Sequence, residues 1–532
     1  MSKLSRSTVA GLCLAATFIF WSIVDPGASR AGGKWDFAPS AVQKQAIAAI
    51  SAESLRGHLS FIASDLLDGR GNGTEGEDVA AEYIAAQFRR SGLKPAGDDG
   101  FYQTVPKLRL MPNLEGYRCR VSLEGKTVDV PSTRFAMISA LGSSNPIIRE
   151  IHIDNVPVVK IPFSGSLPDQ SENLKGRVLM TEFPAVPRDR TQAANIYVRR
   201  QEFMSRVGAL NPALLVEIRR GGSQDTGYFH SRSLIDPEQK GRPATGIPLA
   251  AVTDPAAVEL YDALADGQAQ GGFSLHLSAP LEIPAPLRNV VGLLPGADPR
   301  LAETYILITA HYDGQGTRPG TEGGWNSAND DGSGTVSVIE IAAAMAALKE
   351  RPRRSLVFMT FYGEEIGLAG SRYYAQHPIF PIEKTIAEIN LEMVGRTDDT
   401  EGDQHKRASL TGFDYTDLGD LFRRAGDLTG VTVFKHEKNS DSYFGRSDNQ
   451  ALANMGVPAH TLCVTFNYPD YHGAADTWDK IDYDNMALTV RMIATAVLIL
   501  AQSDGEPRWN ESLSQASRYL AAWKKIHEGG KH

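Results

Sequence analysis

Apolar and polar positions in this chain follow two different periods, and the change of period marks its elements. Tyr305–Ala310 (YILITA), Leu356–Phe361 (LVFMTF), Ile386–Leu391 (IAEINL) and Thr461–Phe466 (TLCVTF) are short, nearly continuous apolar runs, which read as buried strands. Helix-patterned segments separate most of them. That order predicts an α/β fold built on a mostly parallel sheet with helices on both faces. Upstream, Leu55–Leu67 and residues 77–90 carry a helical pattern. Met486–Ala501 is apolar almost throughout, but Arg491 interrupts it and the run is short for a membrane span, so it reads as a packed core helix. Tyr519, Leu520, Ala521 and Trp523 predict a short amphipathic helix near the carboxyl end. The texture differs over roughly 135–283, which is rich in Pro and Gly and holds the short runs Val156–Ile161, Gly176–Thr181 and Ala213–Ile218. These predict a β-rich insertion.

Composition narrows the class. At 532 residues with 42% hydrophobic content, the chain exceeds one ordinary domain and fills a substantial core. A net charge of −9 without a dominant basic run gives no footprint for nucleic acid. Lys3 and Arg6 precede the apolar stretch Val9–Val24, then Asp25-Pro26-Gly27 and small residues up to Ala31. This is the order of a secretory signal, implying export to the periplasm or medium and no stable membrane association after cleavage. An uncleaved membrane anchor is the alternative, and Leu12 before Cys13 argues against a lipoprotein box. The expected layout is a signal at 1–31, an amino-terminal catalytic segment at 32–134, the insertion at 135–283, the main catalytic segment at 284–505 and a helical tail at 506–532. Cys119 and Cys463 remain after the signal, and their separation leaves pairing open.

Candidate chemistry clusters around the apolar runs. His311, Asp330, Glu365, Glu392 and His472 fall beyond strand-like stretches, Asp330 on the loop after the first of them. In open α/β sheets, residues beyond the carboxyl ends of the strands converge on one edge. Two metal ions about 3.5–4 Å apart need a bridging carboxylate plus nitrogen and oxygen ligands for each. His311 and His472 supply nitrogens, Asp330 the bridge, and Glu365 and Glu392 the terminal oxygens. Asp313, two residues past His311, is placed to orient the imidazole. Glu364 beside Glu365 is placed to act as general base on a water. Neither H-E-x-x-H nor G-x-S-x-G occurs, so water is the expected attacking group. Gly71-Asn72-Gly73-Thr74-Glu75-Gly76 spells G-x-G-x-x-G, but a helix rather than a strand precedes it, so it reads as a loop and helix start.

The strings A-H-Y-D (310–313), A-N-D-D-G-S-G (328–334), Y-G-E-E-I-G-L-A-G-S (362–371), N-L-E-M-V-G (390–395) and Y-H (471–472) resemble the co-catalytic di-zinc aminopeptidases of clan MH. That superfamily also holds glutamate carboxypeptidase, glutaminyl cyclase and the transferrin receptor. The resemblance extends to Leu55–Tyr102, and the order of runs in 135–283 looks like a protease-associated (PA) domain. It implies two Zn2+ per chain, other divalent ions being compatible with the same ligands. One would be held by His311, Asp330 and Glu392, the other by Asp330, Glu365 and His472. It also implies that Glu364 is the general base and Tyr471 the group polarising the scissile carbonyl. The expected activity is release of amino-terminal residues from peptides. Carboxypeptidase or dipeptidase activity is the nearer alternative, then a glutaminyl cyclase or a non-catalytic receptor-like ectodomain. No arginine cluster for a substrate carboxylate stands out. Two positions depart from the pattern: Glu392 replaces the commoner Asp, and Ser447-Asp448-Asn449 stands where relatives often carry Ser-Asp-His.

Overall fold

The four apolar runs meet as adjacent strands in the computed structural model, which describes residues 34–140, 149–163, 174–185, 190–220, 234–239, 247–316 and 325–528. The expected signal at 1–31 lies outside the described residues. The main sheet comprises β1 (Lys94–Pro95), β2 (Tyr102–Val105), β3 (Leu287–Leu294), β4 (Tyr305–His311), β5 (Ser355–Phe361), β6 (Thr385–Leu391), β7 (Arg407–Leu410), β8 (Thr432–Phe434) and β9 (Ala459–Cys463). Their order is β1-β3-β5-β4-β6-β9-β7-β8, with β2 also pairing β3. The centre β5-β4-β6-β9 is parallel, as the patterning predicts. The expectation of a mostly parallel sheet needs correction, because β1, β2 and β5 pair β3 antiparallel and β7 pairs β9 antiparallel. Parallel neighbours require a crossover, usually a helix. At the other edge β7 and β8 pair parallel again, joined by helix Leu418–Thr429. The last strand also ends before the apolar run Thr461–Phe466 does, because the Val464 and Thr465 N–H groups turn to the Met393 carbonyl (3.2 and 3.3 Å).

Strand side chains alternate between two buried faces. Ile306, Ile308 and Phe358 pack with Leu59, Phe88, Ile341 and Ile493 from helices Ala52–Ile62, Glu75–Arg90, Ser333–Ala346 and Tyr483–Gln502. On the other face Leu307, Val357 and Met359 meet Tyr374, Leu452 and Tyr519 from Ala369–Gln376, Asn449–Asn454 and Ser517–Glu528. Helices therefore cover both faces. Helix Tyr483–Gln502 is long and apolar enough to cross a membrane, yet its apolar window is 83% buried within the fold. Its Arg491 donates to the Ile50 carbonyl at 2.8 Å, which accommodates the one charge in the run.

A second, eight-stranded sheet carries its own cores. It begins at Arg118 rather than near 135, because Arg118–Leu123 and Lys126–Asp129 form a hairpin against Ala269–Leu277. Nor is it simply β-rich. Ile151–Lys160, Val178–Glu182, Leu214–Ile218 and Pro248–Val252 are successive parallel neighbours. Helix Arg190–Ala209 packs on one face through Phe203 and Val207, and Pro255–Ala263 on the other through Leu260. A three-stranded sheet (Leu108–Met111, Leu234–Ile235, Leu281–Pro284) joins the two units. It rests on the 71–76 loop, where a Cβ on Gly73 would meet the Arg109 guanidinium at 2.8 Å. Cys119 lies in the second sheet and Cys463 in the first, both buried and unpaired.

Candidate metal centre

The parallel strands deliver their carboxyl ends to one edge, and the five candidate ligands gather there. His311 is the last residue of β4, completely buried, rather than a residue beyond it. Glu365 follows β5 by four residues and Glu392 directly follows β6. Asp330 comes from the turn before helix Ser333–Ala346, and His472 from a loop nine residues past β9. His311, Asp330 and Glu392 form one cluster and Asp330, Glu365 and His472 another, the ligand atoms of each lying within 4.8 Å of one another. Asp330 faces both imidazoles: its Oδ1 is 3.3 Å from His311 Nε2 and its Oδ2 is 3.0 Å from His472 Nε2. Glu365 Oε1 lies 3.5 Å from His472 Nε2.

These residues fit cations. His311 Nε2 and Glu365 Oε1 are buried with no hydrogen-bond partner, an expensive state unless something else satisfies them. Burial, then the charge of Asp330, lifts both Glu365 and Glu392 to about 7. Glu364 is pushed well above the carboxylate range by burial and by Glu392, Asp448 and Glu365. Burial opposes ionisation of Asp330 too, but the two imidazoles that face its oxygens outweigh it and hold Asp330 below the usual range. So many carboxylates with so little countercharge are what a pair of divalent ions would compensate. Histidine nitrogen with carboxylate oxygen is a donor set suited to zinc.

Polar anchors hold the ligand loops in register. The buried Asp313 carboxylate accepts the Glu364 N–H (3.1 Å), the Glu365 N–H (3.3 Å) and Asn72 Nδ2–H (2.8 Å). Its Oδ1 also lies 3.3 Å from His311 Nδ1, so it orients both an imidazole and the Glu364–Glu365 turn. Asp476 accepts the Asn329 and Asp330 N–H groups and the Tyr468 hydroxyl, tying the Asp330 turn to the loop that bears Tyr471 and His472. Asn329 Oδ1 accepts the Gly395 (2.8 Å) and Arg396 (3.0 Å) N–H groups beyond Glu392. Asp331 Oδ1 accepts the Gly334 and Met393 N–H groups. A Cβ on Gly334 would lie 2.4 Å from both Asp331 Oδ2 and the Leu391 carbonyl, so no other residue fits there. Behind the site, the fully buried Arg70 donates to the carbonyls of Tyr312, Ile62, Asn326 and Ser327. Burial pulls its guanidinium down to about 10.

Tyr471 stacks on the His472 ring (centroids 4.0 Å apart, 20° between planes) and lines a cleft of about 430 Å³ together with Glu364, Asp330, Glu365, Glu392 and His472. Burial, then Asp330 and the three glutamates, raises its phenol far above the ordinary range, so it stays protonated. Ser447 hydrogen-bonds Glu392 and accepts from Asn390 Nδ2 at 2.8 Å. Asn449 is buried and holds Thr461 and the Phe444 carbonyl; it lies behind the wall that Gly445 and Arg446 form. Sequence reading missed Asn72, Asp476, Arg70 and two arginines, Arg372 and Arg446, that line the cleft. Only the G-x-G-x-x-G string drew attention to the Asn72 loop, and for another chemistry.

Residues 289–497 match Peptidase family M28. The chain is similar to a vacuolar membrane protease of Aspergillus clavatus, 27% identical over 224 residues that make up 41% of this chain and 21% of that protein. It is also similar to leupeptin-inactivating enzyme 1 of Streptomyces exfoliatus, 26% identical over 211 residues, 39% of this chain and 42% of that protein. The chain thus spans well under two thirds of the length of these relatives. Among solved structures, an aminopeptidase from Aneurinibacillus sp. strain AM-1 aligns over 85% of this chain and 95% of its own, with a TM-score of 0.50 at 19% identity. A zinc aminopeptidase from Bacillus subtilis aligns over 84% and 94%, with a TM-score of 0.52 at 16% identity. At such identities the likeness speaks to the fold. The stretch that carries all five candidate ligands is thus the stretch that matches peptidase family M28.

Proposed function

We propose that this protein is a zinc-dependent aminopeptidase that hydrolyses the amino-terminal peptide bond of its substrates. The observation that carries the reading is the pair of ligand clusters sharing Asp330, with Glu364 and Tyr471 on the same cleft. His311, Asp330 and Glu392 would hold one ion and Asp330, Glu365 and His472 the other. Two such ions supply Lewis acidity toward the scissile carbonyl and toward water. The chain's own residues do the rest. Glu364, held on the turn that Asp313 orients, takes a proton from the attacking water as its oxygen bonds to the carbonyl carbon. It then returns that proton to the amine nitrogen as the carbon–nitrogen bond breaks. Tyr471 donates its phenolic proton in a hydrogen bond to the developing oxyanion. Glu392, on the cleft wall, is placed to receive the substrate's free amine.

Metal analysis combined with aminoacyl, N-blocked and carboxyl-terminal peptide substrates tests this. Free-amine substrates should turn over and N-acetylated ones should not. Equal rates on both would refute amino-terminal specificity, and cleavage of N-blocked peptides from the carboxyl end would establish a carboxypeptidase. Export belongs to the same proposal and rests on Lys3, Arg6 and Val9–Val24. Amino-terminal sequencing of the cell-external protein should begin near Ala28–Ala31, and an intact Met1 there would refute cleavage. The sheet at 118–277 is read as a PA domain limiting substrate size, supported by its insertion between catalytic segments and by the three-stranded sheet that joins it to the catalytic unit over the 71–76 loop. Rates that do not depend on peptide length would remove that role.

A further inference from the structure

Two guanidinium groups on the cleft have no task in the chemistry above. Arg372 and Arg446 line it together with Glu364, Glu392 and Tyr471. Both side chains are exposed, and among the described residues neither enters an ion pair. In a cleft floored by carboxylates, an arginine gains by pairing with them, so two that are kept apart need another partner.

Their supports are rigid. Arg446 lies over the Tyr443 ring, its guanidinium carbon 4.2 Å from the centroid. Tyr443 is braced edge-on by Phe466, with centroids 5.2 Å apart and planes at 71°. Stacking of this kind leaves the edge N–H donors free for a planar anion. Arg372 projects from helix Ala369–Gln376, whose start is pinned by the Ala369 N–H to the Gly363 carbonyl (2.8 Å) and the Gly370 N–H to the Tyr362 carbonyl (3.0 Å). The cleft, at about 430 Å³, is of a size that takes a small ligand. A carboxylate is the anion a peptide carries, and the arginine fork matches it in a bidentate pair.

We propose that Arg372 and Arg446 read a carboxylate of the peptide substrate, so that the enzyme favours short or acidic peptides. This rests on the exopeptidase reading for the reaction but not for the binding. The carboxylate is either the free carboxyl terminus of a di- or tripeptide or an acidic side chain beside the scissile bond.

The test is calorimetric binding to the full-length, zinc-supplemented E364Q protein, with Leu-Gly, Leu-Gly amide and Leu-Glu amide as probes. At least one carboxylate-bearing probe should bind about 10-fold or more tightly than Leu-Gly amide, the worth of a charge-assisted pair. The preference should fall toward one in R372Q and in R446Q. R446K, which keeps the charge but loses the fork, should retain part of it. Tight binding of Leu-Gly alone assigns the terminus, and tight binding of Leu-Glu amide assigns the side chain. Equal affinity for all three probes, or a preference untouched by both glutamine variants in correctly folded, metal-replete protein, would overturn the proposal. Turnover of the same probes by the parent enzyme is scored separately. Carboxylate preference without hydrolysis would keep the arginine assignment and remove the exopeptidase reading, and hydrolysis without preference would do the reverse.

Discussion

Asp313→Asn isolates the contribution of a residue that touches no substrate. Its carboxylate faces four groups: the Glu364 and Glu365 N–H groups, Asn72 Nδ2 and His311 Nδ1. An amide has one acceptor oxygen. Turned toward His311 and Glu364, it presents its NH2 to the Glu365 N–H and to Asn72. Asn72 can flip its own amide, since its Oδ1 is buried without a partner, so one donor, the Glu365 N–H, is left orphaned. An orphaned buried donor costs about 1–3 kcal/mol, and loss of the carboxylate behind a ligating histidine costs about 10–100-fold in metal affinity. Substitution should therefore weaken the His311 site by that factor, with a loss of stability of about 1–3 kcal/mol from the orphaned donor. pH gives a signature. Burial pulls His311 down, but Asp313 and Asp330 more than offset it and keep the imidazole protonated well above its ordinary range in the metal-free protein. Metal must displace that proton. Removing the Asp313 charge eases the proton's departure, so the affinity loss should be partly masked at low pH and full at high pH. Competition titrations with a zinc chelator across pH, on folded protein, measure this. Unchanged affinity at every pH would refute the claim that Asp313 holds the ligand set.

Glu364→Gln should preserve two metals per chain and lower kcat by about 10²–10⁴-fold; near-normal turnover would remove it as the base, and loss of metal would mean it is a ligand. Glu392→Ala should lower the affinity of one metal only, while Glu392→Asp should keep both metals and reorder rates among aminoacyl substrates; zinc titration and substrate competition on both variants check this. Metal-stripped protein should lose stability as pH rises. Glu365 and Glu392 go from an ordinary 4.5 to about 7 in the folded chain, so the native state binds more protons than the unfolded one across that window. His311 and His472, also raised, add stability below their folded values that is lost as pH climbs through them, the same sign. Thermal melts of chelated and zinc-replete protein between about pH 4.5 and 7 test it; a metal-free protein that gains stability over that range would refute the charge account.

The sequence alone settled what local pattern and residue chemistry govern. Apolar runs such as Leu356–Phe361 could bury both faces only as central strands, and they did. Met486–Ala501 reads as a core helix because one arginine needs only one carbonyl to be accommodated, and Ile50 supplies it. The five candidate ligands were legible because histidine and carboxylate in short distinctive strings, at or beyond strand ends, carry their own chemical signal. Tertiary structure decided whatever depends on partners far along the chain. The antiparallel edges of the main sheet and the start of the second sheet at Arg118 follow from pairings between segments dozens to nearly two hundred residues apart, which no local period encodes. Asn72, Asp476 and Arg70 look in sequence like ordinary solvated residues; only burial against the backbone of remote loops turns them into anchors for the site. Arg372 and Arg446 are seventy-four positions apart and unremarkable in themselves. They became visible when folding brought helix Ala369–Gln376 and the loop before Ser447 to the same cleft, because a guanidinium's role is set by which anions it can reach.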